Sequence, residues 1–173
     1  MSLERFVAAV EAALDAKNWY AALALALALP DLCARLEDPS VPSSRRYLEW
    51  WSRYMQAHYR MRVGRDRREV TFMTASDAYA LRCAMLHEGR VDIVEQRARV
   101  ALSRFHFIEP IPGSYIHNNR AGDTLQLQVD VYCRQICDAV RAWERDARGR
   151  AEIEQRGGEL LDIIDVQRRG LRI

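Results

Sequence analysis

One stretch of the chain, residues 76–89, constrains the fold more than any other. Thr74 or Ser76 can cap a helix there, and Asp77 lies in its first turn, where a negative charge suits the helix dipole. Gly89 follows the last helical residue and can adopt the left-handed conformation of a helix C-cap. These local signals predict a helix over residues 76–88.

The predicted helix is apolar nearly all round. Every side chain between Asp77 and Glu88 is apolar or small except those of Arg82 and His87. Such a helix is normally buried among other elements, and burying a polar group without a partner is unfavourable. The two polar side chains must therefore meet a partner, a cleft or a subunit interface. The candidate ion-pair partners and supporting residues are Asp31, Asp77 and Glu88.

The whole chain is expected to form one domain, residues 1–173. Its length and its hydrophobic content of 49% suit a globular protein with a sizeable core. Helical spacing predicts a bundle over residues 1–89, and alternation over residues 100–108 and 124–129 predicts a β-hairpin or small antiparallel sheet within residues 90–130. Residues 131–173 supply a C-terminal helix and a tail that fits helix or strand. The fold class is therefore mainly α, with a small antiparallel β element in the C-terminal half.

Pro30 lies in the second apolar segment. The run of Ala and Leu over residues 19–29 predicts a core helix, because both are strong helix formers. Pro30 should break or kink that helix, and a short helix should resume at Asp31. A third helix is predicted over residues 45–59, with an aromatic stripe that packs into the core.

Arginine is concentrated in one segment. Of the 26 basic residues only Lys17 is a lysine, and residues 60–68 contain five arginines. A charge run of this kind is usually a solvated loop, but clustered arginine beside Tyr59 also suits phosphate and base contacts with single-stranded RNA. The candidate RNA-binding residues are Arg62, Arg65, Arg67 and Arg68.

Several other classes of protein are disfavoured by the sequence. There is no glycine-rich nucleotide loop, no HExxH metalloprotease motif and no serine nucleophile elbow. A net charge of +2 makes no case for binding polyanions by charge alone. Cys133 and Cys137 lie one turn apart but have no histidine at ligand spacing, so we expect no metal and a reduced core.

The expected location is the cytoplasm. No run approaches the roughly 18 uncharged apolar residues of a spanning helix. The first five residues lack the charged-then-apolar layout of a signal peptide. We therefore expect no membrane partner.

Arg82, four intervening residues and His87 at the end of a buried helix resemble the motif of the HEPN family. The resemblance extends loosely over residues 3–89. It implies a metal-independent endoribonuclease with no cofactor, in which Arg82 and His87 are catalytic and the site is composed across a homodimer. It also implies RNA as substrate, a toxin or defence role, and an antitoxin-like partner whose identity the sequence does not give.

The chemistry of these two side chains fits that implication. Cleavage of RNA by its own 2′-hydroxyl needs proton transfer, which an imidazole such as His87 can perform, and a cation for phosphate, which Arg82 can provide. Five residues on an α-helix turn through roughly 500°, so the two Cβ vectors differ by about 140°. One helix cannot easily direct both at one phosphate, which favours a dimer. The alternative is a non-catalytic helical binding or scaffold protein in which both residues are structural.

Overall fold

The computed structural model describes residues 3–93 and 102–163, and most of these residues are helical. The predicted mainly α fold with a small sheet is confirmed. The tail beyond residue 163 and the first two residues of the predicted strand 100–108 lie outside the described residues. The helices are α1 (Glu4–Asp15), α2 (Trp19–Glu37), α3 (Ser43–Tyr54), α4 (Ala75–Cys83), α5 (Val129–Ala147) and α6 (Ala151–Gly158).

The central helix of the bundle is α2, which contacts α1, α3, α5 and α6. It runs without interruption through Pro30, so the predicted break is absent. Leu29, Pro30 and Cys33 are all buried, and this apolar packing on both sides holds the proline within the helix. As a result Asp31 lies inside a long helix and faces its neighbours, rather than at the start of a new one.

Among the described residues, α2 is also the one helix that could span a membrane by its length and composition. Within its most apolar window, 50% of the residues are buried inside the fold, and the core helix of a soluble protein passes the same test.

The helix α3 is shorter than predicted. It ends at Tyr54, and residues Gln56–Tyr59 form a 3-10 turn. Its aromatic stripe does pack into the core, as predicted, since Tyr47, Trp51 and Tyr59 are fully buried.

Two small sheets complete the described fold. The first is an antiparallel hairpin of β1 (Arg60–Val63) and β2 (Arg68–Thr71), where the sequence had suggested a solvated loop. The second contains β3 (Arg104–Ile108), β4 (Asn119–Ala121) and β5 (Thr124–Gln128) in the order β3-β5-β4.

The predicted pairing of the two C-terminal strands is wrong in direction, because β3 runs parallel to β5. The antiparallel neighbour of β5 is β4, a strand that no sequence pattern predicted. A turn at Gly122, with a φ of 64°, joins β4 directly to β5. The β4–β5 hairpin occupies one edge of β5, and β3 pairs with the other edge.

The helix α4 begins and ends as predicted. Thr74 and Asp77 form a capping box at its start, and Gly89 has a φ of 65° at its end. The α-helix itself ends at Cys83, and the next five residues, Ala84–Glu88, form a π-helical turn that ends at Gly89. The helix and its π turn are packed beside α2 and α3.

Candidate functional site

The guanidinium of Arg82 lies against α2. Its Nη2 atom is 3.0 Å from Oδ2 of Asp31, and the Arg82 side chain is only 16% exposed. Of the three acidic residues proposed as its partner, Asp31 is the one that the structure places there.

Asp31 is shared by three side chains from α3 and α4. Besides Arg82, it accepts a hydrogen bond from Oγ of Ser43 at 3.0 Å and pairs with Nη2 of Arg46 at 3.3 Å. The Arg46 side chain is 12% exposed and the Asp31 side chain 20%. We call Asp31, Ser43, Arg46 and Arg82 the Asp31 cluster; it joins α2, α3 and α4 at one carboxylate.

The Asp31 cluster carries an excess of positive charge. Two guanidiniums face a single carboxylate, so one positive charge is not neutralised within the cluster. Nε of Arg46 and Nε of Arg82 are also buried without a hydrogen-bond partner in the described part of the chain. Arg46 directs Nη1 to the carbonyl oxygen of Val41 at 2.9 Å. Buried cations with unused donors favour an anion, and a phosphate group matches the guanidinium geometry.

Two tyrosines border the cluster. The rings of Tyr47 and Tyr79 meet edge to face with centroids 5.4 Å apart. Burial raises the pKa of both hydroxyls, although Arg82 partly opposes the shift. Both tyrosines therefore stay protonated at neutral pH, and the Tyr47 hydroxyl is buried without a hydrogen-bond partner among the described residues.

His87 lies outside the cluster, exposed near the end of the π turn. A π turn has more residues per turn than an α-helix, so each residue advances through a smaller angle. The angle about the helix axis between the Cβ directions of Arg82 and His87 should therefore be smaller than in a uniform α-helix, where it is about 140°. The side chain of His87 is accessible to solvent.

Asp77 and Glu88 have other roles. Asp77 is fully buried; it caps α4 through Thr74, and its Oδ1 accepts a hydrogen bond from the backbone N–H of Leu102 at 3.2 Å. Glu88 is exposed and pairs with Arg90 at 3.7 Å. These contacts lie outside the Asp31 cluster, and a supporting role of Asp77 and Glu88 for Arg82 stays a prediction.

The five arginines of the β1–β2 hairpin are exposed. Arg60 and Arg62 lie on one face of the hairpin, Arg68 lies on the other, and Arg65 and Arg67 lie in the turn. None of the five forms an ion pair within the described residues, so their guanidiniums are available to phosphate. The four RNA-binding candidates therefore share the hairpin but not one face.

Tyr59 cannot be the stacking surface that the sequence suggested beside these arginines. It is fully buried, and its hydroxyl donates a hydrogen bond to Oε1 of Gln135 at 3.0 Å.

The cysteines occupy core positions. Cys33, Cys133 and Cys137 are buried, and burial raises the pKa of the thiols of Cys133 and Cys137 to about 12. A thiol with so high a pKa is a poor source of the thiolate that a metal requires. No group of three metal-binding side chains occurs among residues 3–93 and 102–163.

The chain matches no protein-family model, no curated protein and no solved structure.

Arg46 and Ser43 are the residues of the cluster that the sequence did not single out. Ser43 lies two residues before the predicted third helix, and Arg46 lies in a segment with many other arginines. A buried arginine gives no local signal of its own, because its partner is 15 residues away on another helix.

Proposed function

We propose that this protein is an HEPN-like, metal-independent endoribonuclease that binds single-stranded RNA. The observation that carries the proposal is the convergence of Arg82 and Arg46 on the single carboxylate of Asp31. The two guanidiniums carry one positive charge more than Asp31 neutralises, and the Nε atom of each has no hydrogen-bond partner among the described residues. The exposed His87 follows Arg82 by five residues. A phosphate bound near Arg82 would satisfy the surplus charge.

This chain can supply three side chains for RNA cleavage: His87, Arg82 and Arg46. The 2′-hydroxyl oxygen attacks the adjacent phosphorus, the 5′-oxygen leaves, and a 2′,3′-cyclic phosphate forms. His87 takes the proton from the 2′-hydroxyl, and solvent water gives a proton to the 5′-oxygen as it leaves. Arg82, with Arg46 behind it, stabilises the negative charge that grows on the phosphate oxygens. This reaction requires no metal and no cofactor.

A homodimer in the cytoplasm is part of the proposal. His87 is exposed whereas the guanidinium of Arg82 is largely covered. A two-fold axis near the π turn would place the His87 of one subunit beside the Arg82 of the other. In a C2 dimer the same patch then serves both subunits and creates two equivalent sites.

Cleavage itself is the direct test. Purified protein is incubated with excess chelator and an end-labelled pool of random single-stranded RNA. We expect cleavage products that end in a 2′,3′-cyclic phosphate. An RNA pool that stays intact with the folded dimer would contradict the proposed activity.

The arginine hairpin should contribute to RNA affinity without contributing to stability. The variant Arg62→Ser, Arg65→Ser, Arg67→Asn and Arg68→Ser removes four exposed charges; asparagine is chosen at residue 67 because φ there is 49°. Each change should alter the free energy of unfolding by less than about 0.5 kcal/mol. RNA binding should weaken for all sequences, and its salt dependence should flatten by about 0.7 per lost phosphate contact on a log–log plot.

Arg145 and Arg148, exposed at the end of α5, provide the matched control for the hairpin variant. Replacing them with serine should leave the salt slope of RNA binding unchanged. A hairpin variant whose slope equals that of wild type would remove the hairpin from the RNA-binding surface.

The second candidate function is a non-catalytic binding or scaffold protein. The contact that favours it is the 3.0 Å ion pair between Arg82 and Asp31, which ties α4 to α2 and gives Arg82 a structural role. Under this alternative the exposed His87 has no role in RNA chemistry. Substitution of His87 therefore separates the two functions better than substitution of Arg82.

A further inference from the structure

The loop between β3 and β4 is anchored to the base of the arginine hairpin. The side-chain Nδ2 of Asn118 donates a hydrogen bond to the backbone carbonyl of His58 at 2.9 Å. Asn118 has a φ of 54°, a left-handed conformation that asparagine tolerates well. The backbone N–H of Ile116 donates to Oε1 of Gln128 at 3.3 Å. The loop is therefore fixed on both sides of His117.

A row of aromatic rings leads from the core to the surface through this loop. Trp51 stacks on Tyr59 at a centroid distance of 5.7 Å, and His117 lies 6.0 Å from Tyr59. Tyr115 lies 6.0 Å from His117 on the outer side and is 68% exposed. Burial lowers the pKa of His117, an effect that Gln135 partly offsets. His117 is thus largely neutral at neutral pH and acts as an aromatic support for Tyr115.

Tyr115 is linked to the start of the hairpin through two ring contacts. Tyr59, two ring contacts away, immediately precedes Arg60, the first residue of β1. Tyr115 is thus an exposed aromatic ring on a loop anchored two residues before β1, and β1 carries arginines that form no ion pair within the described residues. Proteins bind single strands with this combination, because bases stack on the ring and phosphates contact the guanidiniums. Tyr115 therefore takes the place that the buried Tyr59 cannot fill.

We propose that Tyr115, supported by His117 and Tyr59, stacks on an unpaired base of single-stranded RNA whose phosphates contact the arginine hairpin. This inference deepens the proposed RNA-binding function and rests on it, but it does not require cleavage. The preferred ligand is single-stranded rather than duplex RNA, because the bases of a duplex are already stacked on each other.

The test is a binding titration by fluorescence anisotropy. The full chain is mixed with labelled single-stranded RNA whose 2′-hydroxyls are methylated, so that no cleavage occurs. Tyr115→Ala should weaken binding by roughly 5- to 150-fold, the range for loss of one stacked base, while the salt slope stays that of wild type. Tyr115→Phe should bind as wild type, because the ring is retained.

Tyr20 supplies the matched control. It is 82% exposed at the start of α2, and Tyr20→Ala should bind RNA as wild type does. An abasic site in the RNA at the stacked position should weaken binding to wild type but not to Tyr115→Ala. Thermal melts of both variants should match wild type, since both side chains are on the surface.

The outcomes separate this inference from the proposed activity. Equal affinities of Tyr115→Ala and Tyr20→Ala, or an equal loss on duplex RNA, would overturn the stacking role even if the protein cleaves RNA. A selective loss with Tyr115→Ala in a protein that cleaves no RNA would support the stacking role and reject the nuclease.

Discussion

Replacing His87 with alanine is expected to abolish RNA cleavage and to leave the protein fully folded. The side chain is exposed on the π turn, so its loss should change the free energy of unfolding by less than about 0.5 kcal/mol. Loss of a group that transfers protons in the transition state typically slows a reaction by about 10²- to 10⁴-fold. Initial rates of cyclic-phosphate formation measure the first effect, and urea unfolding measures the second.

His106 is the control for this experiment. It is a second exposed histidine, on β3, and His106→Ala should retain both wild-type cleavage and wild-type stability. Cleavage by His87→Ala at the wild-type rate would exclude His87 from the reaction. Unfolding of His87→Ala would instead show that the residue is structural, and the non-catalytic alternative would then stand.

The proposed dimer can be tested by mixing two inactive variants. If each site combines the Arg82 of one subunit with the His87 of the other, a mixed dimer of Arg82→Ala and His87→Ala retains one intact site and one doubly defective site. Half of the dimers in an equal mixture are mixed, so about a quarter of the wild-type activity should return. If both residues acted within one chain, no activity would return.

The limits of helix α4 could be predicted because they depend on local chemistry. Thr74 and Asp77 are three residues apart, and Gly89 directly follows the π turn that continues α4, so the chain carries its own start and stop signals. The π turn gave no such signal. It depends on how the end of the helix packs, and it changes the angle between the two residues of the motif.

The partner of Arg82 could be narrowed to a few residues but not chosen from the sequence. Asp31 was a candidate, yet its place depended on whether α2 breaks at Pro30. Packing on both sides of the proline keeps the helix continuous, and this tertiary effect outweighs the local preference. Arg46 was missed for a related reason, since nothing in its own segment distinguishes it from other arginines.

The strands were predictable where one face is buried and not where both are exposed. In β5, Leu125 and Leu127 are buried, so the alternation was visible. In β1, all four residues are exposed. Its arginines alternate with Met61 and Val63, but the concentration of arginine made the segment resemble a charged loop. The direction of β3 relative to β5 could not be predicted, because alternation within a strand fits a parallel and an antiparallel partner equally well.

Replacing Asp31 with asparagine is expected to cause the largest loss of stability, about 3 kcal/mol, since removing one partner of a buried charge network leaves the remaining charges uncompensated. The side chains of Asp31, Arg46 and Arg82 are each at least 80% covered, so solvent can offset only part of that loss. Asparagine keeps the shape of the side chain but presents an uncharged amide to two guanidiniums. Urea unfolding at neutral pH measures the change.

Arg82→Ala should be milder than Asp31→Asn, at about 1–2 kcal/mol, because Asp31 then keeps its contacts with Arg46 and Ser43. Glu49→Gln is the control; it breaks the exposed pair of Arg45 and Glu49 within α3 and should cost about 0.5 kcal/mol or less. The expected loss of stability thus decreases from Asp31→Asn through Arg82→Ala to Glu49→Gln, because the carboxylate of Asp31 pairs with two cations. If Asp31→Asn proved no more harmful than Glu49→Gln, the two arginines would not depend on that carboxylate, and the surplus charge proposed to bind phosphate would lose its structural basis.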